Sequence, residues 1–412
     1  MKSSTISGSN GMMPTRGESP GRVTGPSNGG KPPCVSPAPC VTQTHSIMLS
    51  AREWIVALVI VASISVPVYF GWFEWERFSP GKDFRVTCWA ERESDYWAFA
   101  RWSRYARDRY DILLIGDSVI WGQETPNSET ISHFLNEGLN EGLSGKLGEE
   151  PVANIGIDGL HMAGIHGMVK YYGRSLKGKN IILQLNPLWI SSELRDLRGE
   201  GRISYHHPRL LPQLSRRINY NMPLDVRIGY LFDHYLRLPI LIRHLMVNYY
   251  DNKSVSGWML DNPYKNPFAA ITFESTPVMA EGQGRGIDWM AKDMKVSDDE
   301  FVQPNESVQY GLYFDALKRL QKMDANVFVH IGPFNTYAFT PESRETLKTA
   351  LTVIKKQLDS AGIPYFDSTV DNLPSETFGD TCHLLTDGHE MLAENLLASE
   401  SFKAWIGGIT TP

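Results

Sequence analysis

Five short apolar runs, separated by stretches of helical periodicity, constrain this chain more than any other feature. They are 110–115 (YDILLI), 152–155, 180–185 (NIILQL), 326–331 (NVFVHI) and 363–366. Each is mainly apolar rather than alternating, as strands buried on both faces are. Between them, 125–143, 162–175 and 308–323 carry apolar residues at helical spacing. Thr340-Pro341-Glu342 opens the strongest helix signal: an N-cap, Pro in the first turn, an acid behind it, and Gly362 as the stop. A last helix is predicted from Thr386 through Ser401. The pattern predicts an α/β fold with a mostly parallel sheet covered on both faces. Ligands of such sheets bind beyond the carboxyl ends of the strands. The residues to inspect are therefore Gly116-Asp117-Ser118, Gly156 to Gly159, Asn186-Pro187, Gly332 to Asn335, and Asp367-Ser368.

Two regions break the rhythm. Residues 1–50 are rich in Ser, Gly and Pro and too poor in apolar side chains to offset their ordering entropy, so they read as a disordered tail. Trp54 to Phe73 (WIVALVIVASISVPVYFGWF) then runs without a formal charge. At helical rise it covers about 30 Å, the thickness of a hydrocarbon core. Trp54 stands at one end and Tyr69, Trp72, Phe73 and Trp75 at the other, as at membrane interfaces. A buried core helix is the bland alternative, opposed by the length and by the flanks Arg52-Glu53 and Glu74 to Arg77. A cleaved signal peptide is opposed by the lack of a small-residue site after the run. The expectation is one transmembrane anchor over 51–76, kinked at Pro67, then a juxtamembrane connector over 77–108. Up to residue 53 the chain carries Lys2, Arg16, Arg22, Lys31 and Arg52 against Glu18 and Glu53; this net +3 leaves −9 for the rest of a chain of net charge −6. The positive-inside rule places the tail in the cytoplasm and residues 74–412 outside.

The second region is 190–307, which is Pro-punctuated, holds six Arg between Arg195 and Arg217, and includes the apolar stretch 231–250. It reads as a helical cap inserted into a domain spanning 109–405. A second spanning helix is opposed by the cost of Asp233, Arg237 and Arg243 in lipid. An in-plane helix against the membrane face is the livelier alternative. Four Cys are too few for a disulfide scaffold, and a mildly acidic balance gives no case for nucleic acid. Cys88 and Cys382 would share the outer side, with a disulfide and two free buried thiols both open and the thiols preferred.

Ser118 follows a strand and precedes a turn into helix, which exposes a hydroxyl at a helix N-terminus. A Ser nucleophile needs a base, and the base an orienting acceptor. Asp380-Thr381-Cys382-His383 supplies both on one loop: His383 to take the Ser118 proton and Asp380 to fix its tautomer. An oxyanion needs donors where charge develops. Gly159 offers a backbone N–H in a tight loop, and Asn186 a side-chain amide at a strand end. Alone, each has an ordinary structural reading as a turn or cap residue. A metal site from Asp380, His383, Asp387 and His389 competes, but leaves Ser118 without a role. No Gly-x-Ser-x-Gly, Walker A, GxGxxG or HExxH motif occurs.

IGDS near the start, NIGIDG in the middle, an Asn after the third strand and DxxH before the last helix together resemble the SGNH/GDSL hydrolase superfamily. The resemblance covers roughly 109–405 without the 190–307 insertion. It implies a flavodoxin-like three-layer α/β/α fold and no cofactor or metal. It also implies Ser118 as nucleophile, His383 as base, Asp380 as its partner, and an oxyanion hole from Ser118, Gly159 and Asn186. Gly116 and Asp117 would shape the first block and Asn154 brace the second. The third block departs: the family shows Gly-x-Asn-Asp, and here Gln184-Leu185-Asn186-Pro187 stands. The expected function is a membrane-anchored, extracytoplasmic serine esterase acting on acyl esters, acetyl above all, with envelope or exopolysaccharides as substrates by analogy. An O-acyltransferase using the same site is the first alternative, since the acceptor depends on how the cap excludes water. A non-catalytic membrane scaffold or binding module is the second.

Overall fold

The computed structural model describes residues 50–69, 76–86, 95–142, 147–199, 207–220, 222–236, 238–274, 286–369 and 373–410. The chain separates into two units, Met1–Ile55 and Val56–Pro412, and the second holds the fold.

Helix α1, Ala51–Tyr69, crosses the unit boundary and contains Pro67. The expected spanning stretch, Trp54 to Phe73, is helical only up to Tyr69, and residues 70–75 lie outside the described residues. Among the described residues no helix is long and apolar enough to cross a membrane. Arg52 and Glu53 occupy the first turn of α1, so its uncharged part rises only about 24 Å. Tail residues 1–49 and Cys88 also lie outside the described residues.

Helix α2 (Tyr96–Arg109) leads into strand β1 (Ile112–Ile115), the short helix α3 (Ser118–Trp121), α4 (Ile131–Gly142) and β2 (Val152–Asn154). Next come α5 (Met162–Tyr172), β3 (Asn180–Leu185), the inserted helices α6 (Leu224–Leu236), α7 (Leu238–Tyr249), α8 (Val255–Asp261) and α9 (Pro267–Ala270), and α10 (Val308–Lys322). Strand β4 (Asn326–Ile331), α11 (Pro341–Ser360), β5 (Tyr365–Asp367), α12 (Thr386–Ala398) and α13 (Glu400–Thr410) complete the chain. The five strands form one parallel sheet in the order β2-β1-β3-β4-β5. Residues 112–115, 181–183 and 328–329 are almost wholly buried, which explains their unbroken apolar character. Helix α5 packs on α10, and α4 on α12. With the right-handed crossovers usual between parallel strands, the two pairs would cover opposite faces of the sheet.

Local signals held where they were strongest. Thr340 caps α11 by accepting from Ser343 N–H at 3.2 Å, and Gly362, at φ +64°, ends it. Two predicted helices change. The 125–143 stretch becomes helical only from Ile131, because Pro126 starts a 3₁₀ turn. The 386–401 stretch breaks at Ser399, where the backbone turns extended before α13 begins. The connector residues contribute Phe84, Tyr96, Trp97, Phe99 and Trp102 to the same core as the sheet.

Candidate active site

The site lies beyond the carboxyl ends of β1, β2 and β3, where the order reverses from β1 to β3. Strand β1 ends at Ile115, and the chain turns through Gly116-Asp117 into α3. A Cβ on Gly116 would stand 2.3 Å from Gln184 Oε1 and equally near Ile120, so only glycine lets the turn lie against β3. Asp117 caps α3 by accepting from Val119 N–H at 3.0 Å, leaving Ser118 as its first residue. The C-cap Gly122 lies at φ +88°.

Behind this turn sits Arg85, wholly buried in the former connector. Its guanidinium donates to the carbonyls of Trp121 (2.7 Å), Gly122 and Thr125 (2.8 Å), and lies 4.1 Å over the Trp121 ring. These carbonyls have no helix to accept from, and a planar cation satisfies several of them at once. No local pattern around residue 85 announces this role.

Ser118 and His383 are 265 residues apart, yet Ser118 Oγ lies 2.6 Å from His383 Nε2. His383 Nδ1 lies 2.6 Å from Asp380 Oδ2. Asp380 Oδ1 accepts from the backbone N–H groups of Cys382 (2.9 Å) and His383 (2.8 Å), which fixes the carboxylate behind the imidazole. The loop is held from β4 by Asn335, whose N–H donates to Thr381 O at 2.9 Å and whose amide donates to Asp380 O at 3.1 Å. Burial opposes ionisation of Asp380, but its bonds to His383 outweigh burial and hold the carboxyl down to about 2. For His383, burial opposes charge. Cys382 is the next influence, but burial pushes its own thiol up and keeps it neutral. The Asp380 carboxylate therefore carries the balance and raises His383 well above an ordinary histidine.

The proposed oxyanion donors come from three loops. Among the described residues, neither Ser118 N–H nor Gly159 N–H donates a hydrogen bond to the protein. Gly159 stands at φ +69°, a conformation that favours glycine. Its loop is tied to the first block by Ile157 N–H to Gly116 O at 3.1 Å, and to the insertion by His207 Nε2 on Asp158 O at 2.8 Å. Asn154 braces the loop: its amide donates to Ile120 O (2.8 Å) and Ser132 Oγ (3.2 Å), and its oxygen accepts from Gly156 N–H (2.9 Å). Asn186 Nδ2 donates to Asp117 Oδ2 at 2.8 Å. No other acceptor takes its second N–H among the described residues.

Trp189, which the sequence did not single out, and Gln184, read there only as a departure from a pattern, complete this corner. Trp189 Nε1 also donates to Asp117 Oδ2 at 2.8 Å, so one buried carboxylate orients both side chains. Burial lifts the Asp117 carboxyl above its ordinary range despite these donors. Gln184 accounts for the unusual third block. Its Oε1 accepts from Asp117 N–H at 2.9 Å and its Nε2 donates to Gly332 O at 3.1 Å, which joins the ends of β1 and β4 across β3. Pro187 opens a 3₁₀ turn that Asn186 caps.

Among the described residues, the donors that gather closely enough for a metal are Asp380, Cys382 and His383, within 4.8 Å of one another. Asp387 and His389, from the competing metal reading, are not in that group. His389 is buried, and burial, then the Arg85 and His383 charges, push it down to about 3. Cys382 is buried and free. The chain as a whole matches no family model and no curated protein.

Proposed function

We propose that this chain is a serine esterase that transfers an acyl group from an alcohol to water through Ser118. The observation that carries this reading is the continuous path Ser118 Oγ, His383 Nε2, His383 Nδ1, Asp380 Oδ2, with both links at 2.6 Å. A hydroxyl, a base and an orienting carboxylate in that order are what nucleophilic acyl transfer requires. Ser118 attacks the ester carbonyl while His383 takes its proton. Asp380 holds the Nδ1–H tautomer and balances the imidazolium. The negative oxygen of the tetrahedral intermediate meets the N–H groups of Ser118, Gly159 and Asn186. His383 then returns its proton to the leaving alcohol, and water, activated by the same base, hydrolyses acyl-Ser118.

The strand order β2-β1-β3-β4-β5, common among doubly wound flavodoxin-like sheets, supports the SGNH-like reading. The proposal extends to location: the apolar stretch from Trp54 to Phe73 tethers the enzyme to a membrane, with the catalytic unit outside the cytoplasm. Trp54, Ile55, Leu58 and Val59 on α1 are each more than half exposed, which a lipid environment would relieve.

The test is labelling with a fluorophosphonate, followed by turnover of short acyl esters with and without sugar acceptors. The expected result is a label on Ser118 and release of free acid. Acylated sugar would make the protein a transferase, and a label elsewhere would remove Ser118 as nucleophile. Protease applied outside intact cells is expected to cut the catalytic unit; complete protection would reverse the orientation.

A further inference from the structure

The insertion is fastened to the point where the chain leaves α1. Glu76 pairs with Arg101 at 2.6 Å, lies 2.9 Å from His244 Nε2 on α7, and accepts from the Tyr249 hydroxyl. Next to it, Arg77 N–H donates to Phe273 O, just beyond α9, at 2.9 Å. Only residues 70–75 separate Tyr69 from Glu76, a reach of at most about 25 Å fully extended. Any surface that holds the Tyr69 end of α1 therefore lies within about 25 Å of Glu76, whose neighbour Arg77 is tied to the end of the α8–α9 segment.

That segment displays large apolar side chains to solvent. Leu260 is 83% exposed, Phe268 81% and Tyr264 99%. They are not on loose chain. Trp258 is buried and packs edge-on to Tyr250 at 5.5 Å, and the Tyr250 hydroxyl donates to Pro267 O at 3.0 Å. A packed backbone thus presents an aliphatic and two aromatic side chains outward, the composition favoured at the headgroup boundary. Formal charge in 238–274 cancels: Arg243, Lys253 and Lys265 against Asp251, Asp261 and Glu274. The surface fits a lipid boundary reached by apolar burial rather than an acidic partner reached by charge.

We propose that the α8–α9 segment docks into the interfacial layer of the same bilayer that holds α1. The proposal rests on the tether reading, and the test separates the two. Full-length protein is reconstituted in phosphatidylcholine vesicles with a photo-crosslinking benzoylphenylalanine replacing, in separate samples, Tyr264, Phe268, Ile60 or Tyr337. Position 60 reads the tether, and position 337, on an exposed turn of the catalytic unit, reads background. The expected result is a lipid adduct at 264 and 268 several-fold above 337, unchanged when salt is raised. Adducts at 60 with only background at 264 and 268 would overturn docking and leave the tether standing. Adducts at 264 and 268 without one at 60 would keep docking and remove the tether. A crosslinked product of twice the chain mass at 264 or 268 would assign the surface to a second copy and overturn the proposal.

Discussion

Two buried histidines, each held by carboxylates, do different work in this fold. His383 places Nδ1 on Asp380 and Nε2 on the Ser118 hydroxyl. His244 places Nδ1 on Asp95 at 2.8 Å and Nε2 on Glu76 at 2.9 Å, so carboxylates occupy both nitrogens. Burial opposes the charge on His244, and Asp95 and Glu76 outweigh it and raise the group to about 9. An imidazole between two carboxylates keeps its proton and locks elements together: the Asp95 cap of α2, the Glu76 segment and α7. An imidazole with one carboxylate and one hydroxyl has a proton to gain and lose. Whether a nitrogen faces an acid or an alcohol separates a latch from a base, although both rings are buried.

The largest effect expected from that contrast is in turnover. Ser118→Ala and His383→Ala should each reduce kcat for a short ester by on the order of 10⁶-fold, with the melting temperature nearly unchanged. Residual activity near wild type in either variant would break the base reading. Asp380→Asn should cost about 10⁴-fold. It should also move the acid limb of kcat/KM downward, since the carboxylate that raises His383 is gone; in wild type that limb is expected above pH 6.5. A limb that stays in place would separate Asp380 from the base.

The latch should answer to stability instead. His244→Gln takes from buried Asp95 and Glu76 the cation they share and leaves Glu76 with Arg101 alone; a loss of about 3–5 kcal/mol is expected in denaturant unfolding, with kcat on the remaining folded protein unchanged. Loss of turnover in the folded variant would dissolve the distinction between the two histidines. The smallest effect is the pH dependence of that stability. The folded pKa of about 9 exceeds the ordinary 6.5. The stabilisation is therefore fully present below pH 6.5 and lost as pH rises through 9. His244→Gln should remove that alkaline decline, and an identical decline in the variant would assign it to other groups.

The two histidines were also unequally legible in the sequence. His383 has Asp380 three residues before it and stands beside a helix start, a local spacing that suggests a base with its orienting acid. His244 sits in an apolar stretch of the insertion, and its partners are 149 and 168 residues away. Arg85 was invisible for the same reason: its acceptors begin 36 residues on and, Asn127 apart, are backbone carbonyls, which carry no side-chain signature. Gln184 was read as a departure from a family pattern, and the structure gives it a bridging role between strand ends.

By itself the sequence determined the strands, the parallel α/β class, the capped α11 and the two flanks of the candidate site. Those features depend on side-chain periodicity and on turn and cap chemistry, which act within a few residues. Tertiary structure alone decided that Ser118 Oγ meets His383 Nε2, that Asp117 orients Asn186 and Trp189, that residues 77–108 contribute to the core, and that the insertion fastens to Glu76. Each of these pairs groups far apart along the chain. Their partnership is set by the order in which strands join the sheet and by the burial that makes an unpaired polar group costly.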